Sequence, residues 1–160
     1  MGEQTKLLEI KDLKKHFNIK GARNKKQTVK AVDGVTLDIF RGETLGLVGE
    51  SGCGKTTLGR TIIRLHEPTS GSIVYDGKPI YDSEKDIAEK MLPYRRKMQI
   101  IFQDPSASLD PRMTVSEIVG EALSIHKLFT GKEERTERIN QLLDAVGLNT
   151  EHANRFPHEF

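Results

Sequence analysis

The chain of 160 residues carries a net charge of +2, with 36% hydrophobic and 30% charged residues, a composition typical of a soluble globular protein. It lacks the strongly basic face of a nucleic-acid-binding protein, and no apolar run approaches the roughly 18 residues that a membrane-spanning helix needs. Its single cysteine excludes an internal disulfide and fits a reducing compartment. We therefore expect a cytoplasmic protein with no nucleic-acid partner.

The first part of the chain predicts two paired strands. Residues 7–17 and 29–40 contain strand-like runs of apolar and polar residues, and the second run alternates clearly. Between them, residues 20–26 form a basic, glycine-containing stretch that we interpret as a solvated hairpin loop. Gly34, inside the second run, indicates a bulge or a turn.

The middle of the chain predicts alternating strands and helices. Residues 43–48 form a nearly unbroken apolar run, typical of a strand that is buried on both faces. Apolar residues at helical spacing predict a helix over 55–65. Downstream, we expect a strand over 72–75, a turn at Asp76-Gly77, a short helix over 83–92 and a second buried strand over 98–102.

The last part of the chain predicts helices. Thr114 with Glu117, and Thr130 with Glu133, have the spacing of a helix capping box. Gly147 is suited to end the second of these helices. The fold class is therefore mixed α/β over the first two-thirds of the chain, followed by a helical part.

Residues 49–56, with the sequence GESGCGKT, match the phosphate-loop pattern G-x-x-x-x-G-K-[ST] in full. Glycines let the backbone N–H groups point at phosphate oxygens, Lys55 can reach the β- and γ-phosphates, and the Thr56 hydroxyl can bind Mg²⁺. Cys53 could be reactive at a helix N-terminus, but without a partner base we interpret it as a tolerated small residue. The expected nucleotide-binding residues are Gly49, Glu50, Ser51, Gly52, Cys53, Gly54, Lys55, Thr56 and Thr57.

Together with the run IIFQDP at residues 100–105, this loop resembles the nucleotide-binding domain of ABC transporters. The resemblance implies a phosphate-loop NTPase-type core with an antiparallel β portion over residues 1–104, a helical subdomain over 105–160, and ATP and Mg²⁺ as cofactors. It implies that Gln103 contacts the metal or the attacking water, so that Lys55 and Gln103 are catalytic and Thr56 and Gln103 are metal ligands. It also implies that Phe17 stacks on adenine, although an aromatic residue there could instead belong to the core.

Three segments resemble the ATPases of oligopeptide and dipeptide importers more closely, above all the second of their two paralogous ATPases. The segments are AVDGV at 31–35, GETLGLVGESG at 42–52 and PSASLDPRMTV at 105–115. Nickel and glutathione importers share much of this sequence. The resemblance implies a subunit on the inner face of the cell membrane. Its partners would be transmembrane permease subunits, an identical or paralogous ATPase in a head-to-tail dimer and, indirectly, a periplasmic or extracellular peptide-binding protein.

One departure from the family concerns the end of the chain. Phe160 would be the first residue of the signature motif, so the signature, the Walker B aspartate, the catalytic glutamate and the switch histidine are expected to be missing with the C-terminal half of the domain. Residues 100–104 resemble a Walker B strand, but Gln103 interrupts them, and residues 142–144 lie in a helical pattern. We therefore expect a chain that binds ATP without hydrolysing it and that exposes apolar strand edges.

Three other classes of protein remain open. A soluble ABC ATPase without membrane partners is one, although residues 105–115 favour an importer. A small phosphate-loop kinase is another; it would need an arginine-bearing lid, whereas Arg95 and Arg96 are expected on a solvated surface. The third is a non-catalytic nucleotide-binding module.

Overall fold

The structure is a computed structural model that describes residues 5–20 and 26–160, and it divides into two compact units, Met1–Gln99 and Ile100–Phe160. The first unit contains β1 (Lys6–Lys20), β2 (Lys26–Phe40), α1 (Lys55–Ile62), β3 (Ser70–Tyr75), β4 (Lys78–Asp82) and β5 (Ile87–Ala88). The second contains α2 (Pro105–Ser108), α3 (Val115–Ile125), α4 (Lys132–Ala145) and 3₁₀ turns at Thr150–Asn154 and Pro157–Glu159. The division of the whole domain after residue 104 stays a prediction.

The first unit is built on a five-stranded sheet with the order β2-β1-β3-β4-β5, in which all neighbouring strands are antiparallel. The predicted pairing of the first two strands is confirmed. The predicted basic loop between them falls largely on residues 21–25, outside the described residues. Gly34 is a bulge with φ +84, because Asp33 and Val35 on either side of it pair with the adjacent residues Lys14 and Leu13.

The core of the first unit lies between the sheet and α1. Alternate residues of the strands point to the same face, which buries Ile10 and Ile73 completely, together with Ile80 from β4. From the helix, Leu58 and Thr61 face this core at a spacing of three residues. The buried Thr61 hydroxyl is satisfied within the helix, since it donates to the Thr57 carbonyl at 2.7 Å. The sheet therefore fixes the position of α1.

Two predicted strands and one predicted helix are wrong. Residues 43–48 and 98–102 join no strand ladder within the described parts of the chain, and Val48 and Ile101 are 95% and 93% exposed. A strand forms only where a neighbour pairs its N–H and C=O groups. The helix expected over 83–92 is replaced by a turn at residues 83–86 and by β5, because Ile87 and Ala88 pair with Asp82 and Tyr81 of β4.

The helix expected over 55–65 ends earlier, at Ile62, and Arg64 follows in a left-handed conformation with φ +52. The Asp76-Gly77 turn is confirmed. Both residues have positive φ, 50 and 72, as a two-residue hairpin between β3 and β4 requires.

The second unit packs α3, α4 and the 3₁₀ turn at Thr150–Asn154 around a small core of Leu123, Ile139, Leu143 and Ala153. The capping box of Thr114 and Glu117 is confirmed at the start of α3. The predicted partner of Thr130 is wrong: Glu134, not Glu133, accepts its N–H and its hydroxyl, at 2.8 and 2.6 Å. Among the described residues, no helix has the length and the apolar character needed to cross a membrane.

The end of α4 is closed as the sequence predicts. Gly147 has φ +77, and its N–H donates to the Asp144 carbonyl at 2.9 Å. The Leu148 N–H donates to the Leu143 carbonyl at 2.9 Å. These two hydrogen bonds form a Schellman motif and satisfy carbonyl groups that a helix end leaves free.

Candidate nucleotide-binding site

The glycine loop leads directly into α1. Gly52 and Gly54 have φ +81 and +101, conformations that favour glycine, and Gly54 is the N-cap residue of the helix. The Cys53 N–H donates to the Glu50 carbonyl at 3.3 Å, which closes a turn inside the loop. The loop backbone therefore lies at the N-terminus of α1, where free N–H groups and the helix dipole favour the binding of an anion.

Gly54 also fixes the loop against the sheet. A Cβ atom at this position would lie 2.2 Å from the carbonyl oxygen of Ala31 in β2. That distance is far below van der Waals contact, and the oxygen belongs to strand backbone, so it cannot rotate away. Only glycine lets the start of α1 approach β2 this closely.

The side chain of Lys55 folds back over the loop. Its Nζ atom donates to the carbonyl oxygens of Gly49 and Glu50, both at 2.6 Å. An ammonium group has three N–H donors; two are used by these carbonyls, and the third faces the sulfur of Cys53, a weak acceptor that a phosphate oxygen could replace. The half-buried charge of Lys55 thus stands at the N-terminus of α1, where it can stabilise a bound phosphate.

Cys53 occupies the space beside Gly49. Its Sγ atom lies 3.6 Å from Lys55 Nζ, and a Cβ atom on Gly49 would lie 2.8 Å from the same sulfur. The thiol is free and exposed. The sulfur therefore leaves little room for a side chain at Gly49, and the interpretation of Cys53 as a tolerated small residue stays a prediction.

The residues that could hold Mg²⁺ lie in the first turn of α1. Thr56 is exposed there, next to Lys55, and Thr57 is half-buried. Mg²⁺ prefers oxygen ligands and is often held by few protein groups together with substrate phosphates. Among the described residues, no group of three or more His, Cys, Asp or Glu side chains could hold a metal ion by itself. The Thr56 hydroxyl is such an oxygen, and its role as a ligand to Mg²⁺ stays a prediction.

Phe17 lies in β1 and pairs with Val29 of β2. Its half-buried ring is perpendicular to the ring of His66, with the centroids 5.5 Å apart, and Lys15 Nζ lies 4.9 Å from the Phe17 ring centroid. Phe17 is therefore neither a core residue nor freely exposed. Its stacking on adenine stays a prediction.

Gln103 belongs to the second unit, whereas the other predicted site residues belong to the first. Its side chain is exposed, and it directly precedes Asp104, whose carboxylate caps α2 by accepting the Ala107 N–H at 3.1 Å. The catalytic and metal-binding roles of Gln103 stay predictions.

Two arginines that support α1 were not identified from the sequence. The guanidinium of Arg64 is buried and donates to the carbonyl oxygens of Ile80 at 3.0 Å and Glu89 at 2.6 Å. Arg95, expected on a solvated surface, instead is half-buried and donates to the carbonyls of Ile63 at 3.1 Å and Arg64 at 3.3 Å.

These contacts with Arg95 place a cation at the C-terminal end of the helix that carries Lys55, which stabilises that end. The neighbouring Arg96 is exposed, as expected. The sequence gives only a weak signal for these roles of Arg64 and Arg95. A basic residue near a helix end is common, and the carbonyls that Arg64 contacts lie far from it along the chain.

Known proteins resemble this chain over most of its length. Residues 32–160 match the sequence profile of a family described as "ABC transporter". The oligopeptide transport ATP-binding protein OppF of Bacillus subtilis (strain 168) is 57% identical over 155 residues, covering 97% of this chain and 48% of the relative. The dipeptide transport ATP-binding protein DppF of Lactococcus lactis subsp. cremoris (strain MG1363) is 46% identical over 162 residues, covering 100% of this chain and 50% of the relative.

A solved structure also shares the fold. It is the dimeric post-hydrolysis state of the ATP-binding cassette MJ0796 bound to ADP and Pi, with a TM-score of 0.71 and 26% identity, and the match covers 96% of this chain and 63% of that one. The likeness confirms the predicted α/β phosphate-loop fold. The chain spans about half the length of the curated relatives it matches.

Proposed function

Because the chain belongs to the ABC transporter family, we propose that it is the nucleotide-binding part of an ATPase subunit that drives the import of peptides across a membrane. The observation that carries the proposal is the glycine loop, which holds Lys55 over the N-terminus of α1 by two bonds of 2.6 Å. The names of the relatives, oligopeptide and dipeptide transport proteins, support peptides over nickel or glutathione.

Each residue of the site has a task in this proposal. The loop N–H groups bind the phosphates of ATP together with the third donor of Lys55, which exchanges the Cys53 sulfur for a phosphate oxygen, and Thr56 supplies one oxygen to Mg²⁺. Phe17 binds the base, and Gln103 contacts the metal or the attacking water. Phosphoryl transfer depends mainly on positioning and on charge stabilisation, which the loop and Lys55 are suited to supply.

We propose that this chain binds ATP without turning it over. The relatives are about twice as long. We assign the general base and the second metal contact to the part of the relatives that this chain does not match. Strands from that part would pair with residues 43–48 and 98–102, whose apolar side chains include the 95% exposed Val48. The permease subunits, a second ATPase subunit, the inner face of the membrane and, indirectly, a peptide-binding protein complete the proposed assembly.

A chimera tests the transport function. Residues 1–160 would be joined to the remaining C-terminal part of the B. subtilis relative and expressed in a strain that lacks that relative. We expect uptake of a labelled tripeptide, loss of uptake with Lys55→Ala, and no uptake of nickel above background. A chimera that hydrolyses ATP but restores no peptide uptake would contradict the proposed substrate.

The purified 160-residue chain tests the proposal about hydrolysis. We expect no release of phosphate from ATP above the buffer rate. Steady hydrolysis that disappears with Lys55→Ala would show that the chain contains a complete active site.

A further inference from the structure

The ring of Phe17 is contacted by two side chains. His66, which follows α1, lies at 89° to it with the ring centroids 5.5 Å apart, and the ammonium of Lys15 lies 4.9 Å from the Phe17 ring centroid. Edge-to-face aromatic pairs and cation–π contacts both depend on ring orientation. The two contacts therefore restrict how the Phe17 ring can turn.

Both contacts are anchored by hydrogen bonds between β1 and the segment 66–69. Lys15 Nζ donates to the Glu67 carbonyl at 2.8 Å. The Thr69 N–H donates to the Lys14 carbonyl at 2.7 Å, and the His16 N–H donates to the Thr69 hydroxyl at 2.9 Å. Because these hydrogen bonds hold residues 67–69 against β1, they also keep the adjacent His66 close to Phe17.

We propose that His66 and Lys15 are positioning residues for the nucleobase, which act by holding the Phe17 ring in the orientation that stacks on it. The inference rests on the proposed function, in which Phe17 binds the base of ATP. A ring that is already held loses less rotational freedom when a base stacks on it. Neither residue needs to touch the phosphates, so their effect is confined to ligands that carry a base.

The test compares two ligands that differ in the base. Calorimetric titrations of the 160-residue chain with Mg²⁺ and either ATP or inorganic tripolyphosphate give a ratio of affinities that isolates the contribution of the nucleoside. Phe17→Ala is expected to lower the affinity for ATP about 5- to 100-fold, in line with base–aromatic stacking, and to leave tripolyphosphate unchanged.

The variants of the positioning residues give smaller effects. His66→Ala is expected to lower ATP affinity about 2- to 10-fold without changing tripolyphosphate, and His66→Phe, which keeps an aromatic edge, is expected to restore it. Lys15→Met keeps the aliphatic part but removes the cation, and should lower ATP affinity about 2- to 5-fold.

The outcomes separate the inference from the proposed function. If Phe17→Ala changes the ratio while His66→Ala and Lys15→Met do not, the inference is overturned and the proposed function stands. If His66→Ala weakens both ligands equally, the residue has a general structural role and the inference fails. If Phe17→Ala leaves the ratio unchanged, the proposed stacking role of Phe17 fails together with the inference, whereas the phosphate-binding role of the loop stands. If the unaltered chain binds neither ligand, the proposed nucleotide site itself fails.

Discussion

Replacing Gly54 by alanine tests whether β2 fixes the phosphate loop. Gly54 has φ +101, and an L-residue held in the left-handed region costs roughly 1–2 kcal/mol. The new Cβ atom would lie 2.2 Å from the Ala31 carbonyl oxygen, so the start of α1 or the strand must shift, which typically costs a further 1–3 kcal/mol or so. We expect a loss of roughly 2–5 kcal/mol in the free energy of unfolding of the first unit.

Tyrosine fluorescence can follow this unit alone. The chain has three tyrosines and no tryptophan, and Tyr75, Tyr81 and Tyr94 all lie in the first unit. Urea unfolding of Gly54→Ala is compared with that of Gly59→Ala, a glycine inside α1 where an added Cβ meets no atom within 4 Å. Because alanine favours a helix over glycine, the control should gain roughly 0.5–1 kcal/mol.

The free energy of unfolding must therefore fall for Gly54→Ala and rise for Gly59→Ala. If Gly54→Ala unfolds within about 0.5 kcal/mol of the unaltered chain, the typical range of a neutral surface substitution, the close approach of Gly54 to Ala31 is wrong. If both alanines destabilise the unit equally, the effect is a general one of α1 and not of the contact with β2.

Three further perturbations test other parts of the structure. Arg64→Met removes a buried guanidinium from two backbone carbonyls and should destabilise the first unit by about 2–4 kcal/mol in the same assay, whereas the exposed Arg96→Met should change it by less than about 0.5 kcal/mol. The Thr114 N–H and hydroxyl hold the pKa of Glu117 below its ordinary 4.5, so the carboxylate stabilises the second unit above that pH and the gain is lost as the pH falls through the lowered pKa. Helical circular dichroism should fall with acidification, and Glu117→Gln should weaken that dependence; an identical pH profile would contradict the cap. Val48→Lys, at a 95% exposed position, should slow aggregation measured by light scattering and leave the urea midpoint of tyrosine-monitored unfolding unchanged. Unchanged aggregation would mean that the chain does not aggregate through the surface around Val48.

Features that depend on neighbours along the chain could be predicted from the sequence. The Asp76-Gly77 turn, the capping box at Thr114 and the helix end at Gly147 each follow from the conformations that one or two residues allow. The phosphate loop belongs to the same group, since its pattern lies within the eight residues 49–56.

Features that depend on distant partners could not be predicted. The apolar runs at 43–48 and 98–102 have the composition of buried strands, but composition does not show whether a neighbouring strand is present to pair with them. Arg64 depends on carbonyls of Ile80 and Glu89, which lie 16 and 25 residues away along the chain. Its buried role followed only from the tertiary structure.

Titration of the chain with a fluorescent ATP analogue in the presence of Mg²⁺ shows whether the loop around Lys55 binds nucleotide. We expect saturable binding that Lys55→Ala abolishes and that Lys97→Ala, at an exposed lysine of the same unit, leaves unchanged. Binding that survives Lys55→Ala, or no binding by a chain whose tyrosine fluorescence shows a folded first unit, would contradict the proposed nucleotide site.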